Sequence, residues 1–268
     1  MTIKKFQKIV WDYYERHGRN FPWRQTKNPY RILVSEIMLQ QTQTSRVVEK
    51  YSVFIKKFPT VESLHNAGTS DVLRVWQGLG YNRRALSLKK SAAKAVVEYQ
   101  GKIPKNAPAL VSFPGVGPGT AGAILAFAYN IPAAFIETNI RRVFIYHFFS
   151  GLEKVRDNDI FPLIEKTLDR ESPREWYWAL MDYGAMLAKL KQNPNTRSTT
   201  YSKQPRFRGS NREARGKIIK LLASKPTGIP KTALARSVSI PPVTVTRVLS
   251  ELAREGFIAL KGRRVVLQ

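Results

Sequence analysis

The sequence predicts an all-α fold through residue 190, followed by a segment of different composition. Apolar residues recur in this region with the three-to-four-residue spacing of helices buried on one face. The strict alternation typical of strands is nearly absent, and short breaks containing Gly, Pro or Asn separate the periodic stretches. Such breaks lie at residues 17–23, 57–60, 101–108 and 114–119, and we predict about ten helices of ordinary length for the region.

The chain is strongly basic. It has 45 Lys and Arg residues against 19 Asp and Glu residues, a net charge of +26, which favours a polyanionic partner and above all nucleic acid. A hydrophobic content of 43% is typical of a folded protein and not of a disordered polycation. Charge alone is also typical of binding proteins without activity, so catalysis has to be argued from motifs.

Missing residue types exclude several classes of chemistry. The absence of cysteine excludes disulfides, thiolate zinc sites, cysteine nucleophiles and cysteine-held iron–sulfur clusters. The three histidines are scattered without ligand spacing, so no metal site is expected. The first 18 residues are charged throughout, unlike a secretory signal, and no apolar stretch is long enough to span a membrane. A cytoplasmic, nucleoid-associated location is compatible with this composition.

A change in composition follows the helical region. No acidic residue lies between Asp182 and Glu213, whereas basic residues are frequent there. We interpret residues 191–206 as a basic linker. It is equally compatible with a flexible tether and with a segment that lies along DNA phosphates.

Residues 207–268 predict a separate small domain. Helical patterns at 212–224, 230–238 and 239–256 precede two short strands, 257–260 and 265–268, joined by a basic tip. This order resembles a winged helix-turn-helix domain. The expected DNA contacts are Thr244, Thr246 and Arg247 on its third helix and Arg263 at the tip. Such modules also serve as protein-interaction or packing units.

Residues 108–129 predict two helices joined by a tight glycine-rich turn. Glycines allow the turn, and its N–H groups with the positive end of the second helix suit a phosphate oxygen. An ordinary corner between helices is the alternative, but Pro-Gly-Val-Gly-x-x-Thr-Ala is typical of the helix-hairpin-helix of DNA repair proteins. The expected DNA contacts in this motif are Gly115, Val116, Gly117, Gly119 and Thr120.

Five further motifs occur with the hairpin in one order: FPWR (21–24), PYRILVSEIMLQQTQ (29–43), GLGYNRRA (78–85), IETNIRRV (136–143) and MDYGAM (181–186). Over roughly residues 5–188 the series resembles the MutY-type adenine DNA glycosylases of the helix-hairpin-helix superfamily. The resemblance implies a catalytic region, 1–190, with a barrel at about 24–133 and a second subdomain of 1–23 plus 134–190. It also implies a monomer that acts on double-stranded DNA containing a mispaired or damaged base.

Two glutamates are the candidate catalytic groups. Glu36 lies among apolar residues of a predicted helix, where desolvation should raise its pKa and let it hold a proton, although a surface carboxylate or ion pair is the commoner fate. The resemblance implies that it protonates the departing adenine. Glu137 matches an aspartate that stabilises the developing sugar cation, and it could also cap the helix starting near Thr138. Asn139 matches an asparagine that helps hold the reactive centre.

Further positions match residues that bind the flipped base and the DNA it leaves. Trp23 and Arg24 match the lining of the adenine pocket, although Trp23 taken alone would be assigned to the core. Side chains that wedge into the duplex offset the cost of unstacking. The resemblance assigns Leu39, Gln41 and Tyr81 to this wedge, Leu39 also to the base pocket, and Thr42 to the DNA contact.

Several positions depart from the family pattern. Gly119 stands where bifunctional relatives carry a lysine that forms a Schiff base, so we expect base excision without efficient strand cleavage. Ala188 and Asn195 stand where the cluster-binding cysteines would begin, so no iron–sulfur cluster is expected, and the basic loop there is expected to take over its DNA contacts. A monovalent cation at the hairpin is the one cofactor that the resemblance allows. The small domain at residues 207–268 does not resemble the Nudix-related domain that recognises 8-oxoguanine in this family.

Three functions compete on these observations. LQQTQ and FPWR favour a monofunctional glycosylase that removes mispaired adenine. A G:T or G:U mismatch thymine/uracil glycosylase is the second hypothesis, because such enzymes also carry a glutamate in the first catalytic helix. A non-catalytic lesion-binding or regulatory DNA-binding protein is the third, and retention of both Glu36 and Glu137 argues against it.

Overall fold

A computed structural model describes the whole chain, Met1–Gln268, and confirms a predominantly helical fold. The helices are α1 (Ile3–His17), α2 (Pro29–Leu39), α3 (Thr44–Lys57), α4 (Val61–Asn66), α5 (Thr69–Trp76), α6 (Arg83–Tyr99), α7 (Ala107–Val111), α8 (Pro118–Tyr129), α9 (Thr138–Phe148), α10 (Asp157–Thr167), α11 (Pro173–Leu187), α12 (Asn211–Ala223), α13 (Lys231–Val238) and α14 (Pro242–Arg254). Two 3₁₀ helices lie at Pro22–Arg24 and Pro194–Arg197. None of the helices is long and apolar enough to cross a membrane.

Local sequence explains where several helices begin and end. The Thr2 and Asn106 side chains accept hydrogen bonds from the first turns of α1 and α7, which removes unpaired N–H groups. Gly117 is extended before α8, and Pro118 occupies its first turn, where no N–H partner is needed. Gln100 and Asn130 adopt left-handed backbone conformations that end α6 and α8.

The first compact unit consists of Met1–Glu36 and Ile103–Lys203. Helix α11 packs against α1 and α9, and an aromatic core that includes Phe6, Phe144 and Trp176 fills the space between them. Residues 121–128 of α8 are all buried, as expected of a helix that is apolar on every side. The two segments of this unit carry both candidate catalytic glutamates.

The second compact unit consists of Ile37–Lys102 and Gln204–Gln268. In it α4 and α5 pack on α6, and α12 packs on α5. We call its second stretch, Gln204–Gln268, the tail. The predicted helices and hairpin of the tail are confirmed as α12–α14 with β2 (Ile258–Lys261) and β3 (Arg264–Leu267). A short strand β1 (Ile229–Pro230), which the sequence pattern did not predict, completes an antiparallel sheet of order β1-β3-β2. The predicted domain bounds at residues 190 and 207 stay a prediction.

Candidate active site

Glu36 lies in the middle of α2, between the buried residues Ser35 and Ile37, and keeps only partial exposure itself. Burial of the carboxyl raises its pKa to about 8, repulsion from Glu137 acts in the same direction, and the charge of Arg24 opposes both. The carboxyl is therefore mostly protonated near neutral pH. It is also electrostatically coupled to a second carboxyl of the same unit.

Glu137 is the N-cap of α9. Its Oε1 accepts hydrogen bonds from the backbone N–H groups of Asn139 (2.8 Å) and Ile140 (2.9 Å). Burial is the largest effect and raises the pKa of this carboxyl above its usual value, although these two hydrogen bonds and the charges of Arg142 and Arg141 oppose the shift. The predicted capping contact is therefore present, and the oxygens point to donors that favour the ionised form.

The Asn139 side chain is fixed by two hydrogen bonds. Its Nδ2 donates to Glu137 Oε2 (3.3 Å), and its Oδ1 accepts from Arg142 Nη1 (2.7 Å). The same arginine nitrogen donates to the carbonyl oxygen of Gly184 (2.7 Å). A Cβ at position 184 would lie 2.4 Å from the Asn139 carbonyl oxygen, so only glycine allows α11 to approach α9 this closely. This explains the glycine of MDYGAM.

Arg24 is buried against a carboxylate. Its guanidinium makes two hydrogen bonds of 2.8 Å to Asp182, whose side chain is 1% exposed, and Arg19 donates to the same carboxylate. The Phe21 ring lies 5.2 Å from the Arg24 guanidinium carbon and stacks on Trp23 with ring centroids 5.0 Å apart. Asp182 thus orients the arginine that acts on Glu36, whereas the Trp23 ring is buried, with 8% of the residue exposed.

The hairpin has the backbone that its glycines predict. Gly115 has a left-handed φ of 84°, and Gly115 and Gly117 are both exposed, whereas the Val116 side chain is buried. Only the backbone of Val116 can therefore contact a phosphate. A Cβ at Gly119 would lie 3.2 Å from the carbonyl oxygen of Ile136, so position 119 adjoins Glu137.

Two loops carry the predicted wedge residues. Gln41 and Tyr81 both have left-handed backbone conformations, with φ of 53° and 45°, which are unfavourable for such residues. Arg84 holds both loops, because its guanidinium donates to the Thr42 hydroxyl and to backbone carbonyl oxygens of Ile37, Met38, Gln40, Leu79 and Gly80. The Thr42 hydroxyl is thus engaged within the protein, and Leu39, at the end of α2, is partly exposed.

Comparisons with known proteins agree with this architecture. Residues 34–158 match the family described as HhH-GPD superfamily base excision DNA repair protein. A thymine/uracil-DNA glycosylase from Methanothermobacter thermautotrophicus is 30% identical over 187 residues, which are 69% of this chain and 85% of that relative. The chain belongs to the HhH-GPD superfamily.

Relatives within the HhH-GPD superfamily differ in the share of this chain, and of their own length, that the similarity covers. An adenine DNA glycosylase from Buchnera aphidicola subsp. Baizongia pistaciae is 36% identical over 199 residues, 72% of this chain and 56% of that relative, so the chain spans just over half its length. An adenine DNA glycosylase from Mycolicibacterium smegmatis is 29% identical over 275 residues, 96% of this chain and 93% of that relative. The solved structure of a thermostable thymine-DNA glycosylase superposes with a TM-score of 0.66 at 29% identity, covering 72% of this chain and 90% of that chain.

The loop around Pro194–Arg197 is fixed by polar contacts in this HhH-GPD protein. The buried Asn195 donates through Nδ2 to the Thr138 carbonyl oxygen (2.9 Å), next to Glu137. Arg197 donates to the carbonyl oxygens of Phe149 (2.5 Å) and Ser150 (2.9 Å) near the end of α9. The Arg197 guanidinium is thus used inside the protein. No group of three or more His, Asp or Glu side chains is arranged to hold a metal ion, and the hairpin cation stays a prediction.

The predicted DNA contacts of the tail have different surroundings. On α14, Thr246 and Arg247 are exposed, Thr244 is partly exposed, and Arg247 pairs with Glu251 (3.1 Å). Arg263 is exposed at the turn between β2 and β3. Their roles toward DNA stay a prediction.

Sequence reasoning missed the residues that hold the HhH-GPD site in place. Phe21, Arg84 and Asp182 all lie inside motifs that were recognised, but the motifs alone did not assign them roles. The signal that the sequence carries is their position inside these motifs. Their partners lie far away in the sequence, so only the fold identifies them.

Proposed function

We propose that the protein is a monofunctional DNA glycosylase that flips out a mispaired base, adenine by preference, and hydrolyses its glycosidic bond. The observation that carries this proposal is the coupling between Glu36, whose raised pKa of about 8 keeps it protonated, and Glu137, which receives backbone hydrogen bonds. A proton donor and an ionisable carboxylate in one site suit glycoside cleavage with an oxocarbenium-like transition state.

In the proposed reaction Glu36 gives its proton to the adenine as the bond between its N9 and the sugar C1′ breaks. The developing positive charge on the sugar is stabilised by the Glu137 carboxylate, which Asn139 and the start of α9 hold in place. A water adds to C1′ and loses a proton, so the products are adenine and an abasic strand. Arg24 adjusts the acidity of Glu36 from its fixed position on Asp182.

Binding and flipping use separate elements in this proposal. The backbone of residues 115–120 contacts a phosphate without reading sequence. Gln41 and Tyr81 enter the space left by the flipped base. The flipped base itself lies near Trp23. The tail residues Thr244, Thr246, Arg247 and Arg263 add contacts to the duplex.

Two observations favour adenine over the second candidate, thymine or uracil. Adenine is a poor leaving group unless it is protonated, and Glu36 holds a proton for this purpose at neutral pH. Relatives named adenine DNA glycosylase include one that matches nearly the whole chain. The thymine/uracil-DNA glycosylase relative is what favours the second candidate.

The test is single-turnover base release from duplexes that differ only in the target pair: A:G, A:8-oxoguanine, A:C, T:G and U:G. We expect release of adenine and no release of thymine or uracil. Release from the T:G or U:G duplex alone would establish the second candidate. Binding to every duplex without release of any base would identify a non-catalytic DNA-binding protein.

The same reactions test the form of the product. Because Gly119 cannot form a Schiff base, the strand should stay intact and break only after hot alkali. Efficient trapping of an enzyme–DNA adduct by borohydride would show that another lysine acts as nucleophile, and the enzyme would then be bifunctional.

A further inference from the structure

The tail contacts the Tyr81 hydroxyl directly. Arg212, in the first turn of α12, donates from Nη1 to this hydroxyl (2.5 Å), and Gln204 donates to it from Nε2. The other terminal nitrogen of Arg212 donates to the Pro205 carbonyl oxygen (2.7 Å), which fixes the guanidinium. These donors lie more than 120 positions along the sequence from Tyr81, so the contact exists only in the folded chain.

Tyr81 is consequently held at both ends. Arg84 fixes its backbone through the carbonyl oxygens of Leu79 and Gly80, and the tail fixes its hydroxyl. The guanidinium carbons of Arg84 and Arg212 each lie 5.6 Å from the centre of the ring. A partly exposed tyrosine with an unfavourable backbone conformation, held by two arginines, is fixed in one arrangement.

We propose that Arg212, supported by Gln204, is a positioning residue that fixes the Tyr81 side chain for entry into the duplex. This inference rests on the proposed function, in which Tyr81 occupies the space left by the flipped base. A side chain that is already ordered loses less conformational freedom when it inserts, so unstacking is faster and the flipped state lasts longer. The tail then contributes to base flipping and not only to affinity.

The test measures unstacking separately from base release. The duplex carries 2-aminopurine beside a mispaired adenosine whose 2′-fluoro group blocks hydrolysis, and fluorescence is followed after mixing with saturating protein. Three variants are compared with the wild type: Tyr81→Phe, Arg212→Gln and the double variant. Arg170→Gln is the matched control, because it removes the same charge from an exposed residue between α10 and α11, outside the proposed DNA contacts.

Tyr81→Phe and Arg212→Gln should each slow unstacking roughly tenfold, as expected from loss of a hydrogen bond to a charged group. The double variant should be no slower than either single variant, because both remove one contact. Arg170→Gln should unstack at the wild-type rate. Tyr81→Phe, which changes a single atom, keeps the test valid if Arg212→Gln is unstable.

Three results would overturn the proposal. Normal rates in both single variants would make the contact incidental, and faster unstacking in Arg212→Gln would make it a lock that DNA has to open. Additive losses in the double variant would assign Arg212 a separate contact with DNA. If the wild type unstacks the duplex but releases no base from an unmodified substrate, the proposed function fails while this inference stands.

Discussion

Glu36 and Glu137 show how neighbouring carboxyls acquire different chemistry from their surroundings. Burial dominates at Glu36 and raises its pKa to about 8. At Glu137 burial also raises the pKa, but two backbone N–H groups and two arginines oppose it. The first group is thereby suited to carry a proton, whereas the second, whose pKa is also raised overall, has fixed donors that stabilise its charged form.

Replacing Glu36 by Gln should abolish base release and stabilise the fold. General-acid catalysis is worth roughly a hundredfold to ten-thousandfold, and Gln cannot deliver a proton, so single-turnover release should fall by that factor with little change in affinity. Wild-type release should itself decline as the pH rises through about 8 and the carboxyl ionises.

The stability change has a definite sign. The folded pKa of Glu36 lies above its unfolded value, so its contribution is fully present below about 4.5 and is lost as the pH rises through about 8. The Gln variant avoids this loss. Its free energy of unfolding should match the wild type at low pH and exceed it by roughly 2–4 kcal/mol above pH 8. Near-normal release in this variant would remove Glu36 as the acid.

Two substitutions at Glu137 separate its charge from its capping role. Asp is a good N-cap and keeps the charge, so Glu137→Asp should retain activity. Gln can still accept the hydrogen bonds from Asn139 and Ile140 but is neutral, so Glu137→Gln should stay folded and lose roughly a hundredfold in single-turnover release. Thermal unfolding of both variants is the control. Full activity in the Gln variant would leave residue 137 as a cap only.

At the scale of elements, the loop around Pro194–Arg197 is stabilised by one arginine. Arg197 donates to the carbonyl oxygens of Ile145, Phe149, Ser150 and Leu152, and the backbone of Val155 pairs with residues 197 and 199 on the same loop. Cations near the end of a helix also interact favourably with its dipole. Arg197 thus ties this loop to the C-terminal end of α9, the helix that Glu137 begins.

Removing this arginine should loosen α9 and the loop together. Arg197→Ala should lower the free energy of unfolding by roughly 2–3 kcal/mol, because it leaves several carbonyl oxygens unpaired. Arg197→Lys should recover only part of that loss, since an ammonium lacks the planar fork. Denaturant titration measures both, with Arg206→Ala as the charge-matched control. Equal stability of the Ala variant and this control would show that the loop does not need Arg197.

Motifs supply candidates for the reactive residues but not for the residues that support them. The apolar surroundings of Glu36 and the position of Glu137 before a helix are local features, so the raised pKa and the helix cap could be predicted from sequence. Arg84 and Arg197 could not be assigned, because their partners are backbone carbonyl oxygens brought near by the fold. Strand β1 has only two residues and no periodicity, so it could not be recognised.

At the scale of the whole molecule, each compact unit is built from two separate stretches of sequence. In the second unit the tail packs on residues 37–102 through an ion-pair cluster. Glu255 accepts two hydrogen bonds from Arg83 of α6, of 2.8 and 2.5 Å, and two from Arg215 of α12, of 2.5 and 3.0 Å. Hydrogen bonding from Arg83 is the largest cause that lowers the pKa of Glu255 to about 2.

Glu255→Gln should therefore loosen more than the tail. The folded pKa of Glu255 lies below its unfolded value, so its contribution is present above about 4.5 and is lost as the pH falls toward 2. At pH 7 the variant should exchange amide hydrogens faster in α12–α14 and also in α5 and α6, whereas α8, α9 and α11 keep wild-type protection. Mass spectrometry of exchange resolves these segments, with the exposed Glu153→Gln as the control.

The distribution of this effect decides between two domain organisations. If residues 37–102 and 204–268 stabilise each other, loss of one ion-pair cluster lowers protection in both stretches. Faster exchange confined to 207–268 would instead support a tail that folds by itself, as the sequence-based bounds predict. The gap between the variant and the wild type should narrow in acid, because protonated Glu255 resembles Gln. A gap that stays constant down to pH 3 would show that packing, and not the charge of Glu255, joins the two stretches.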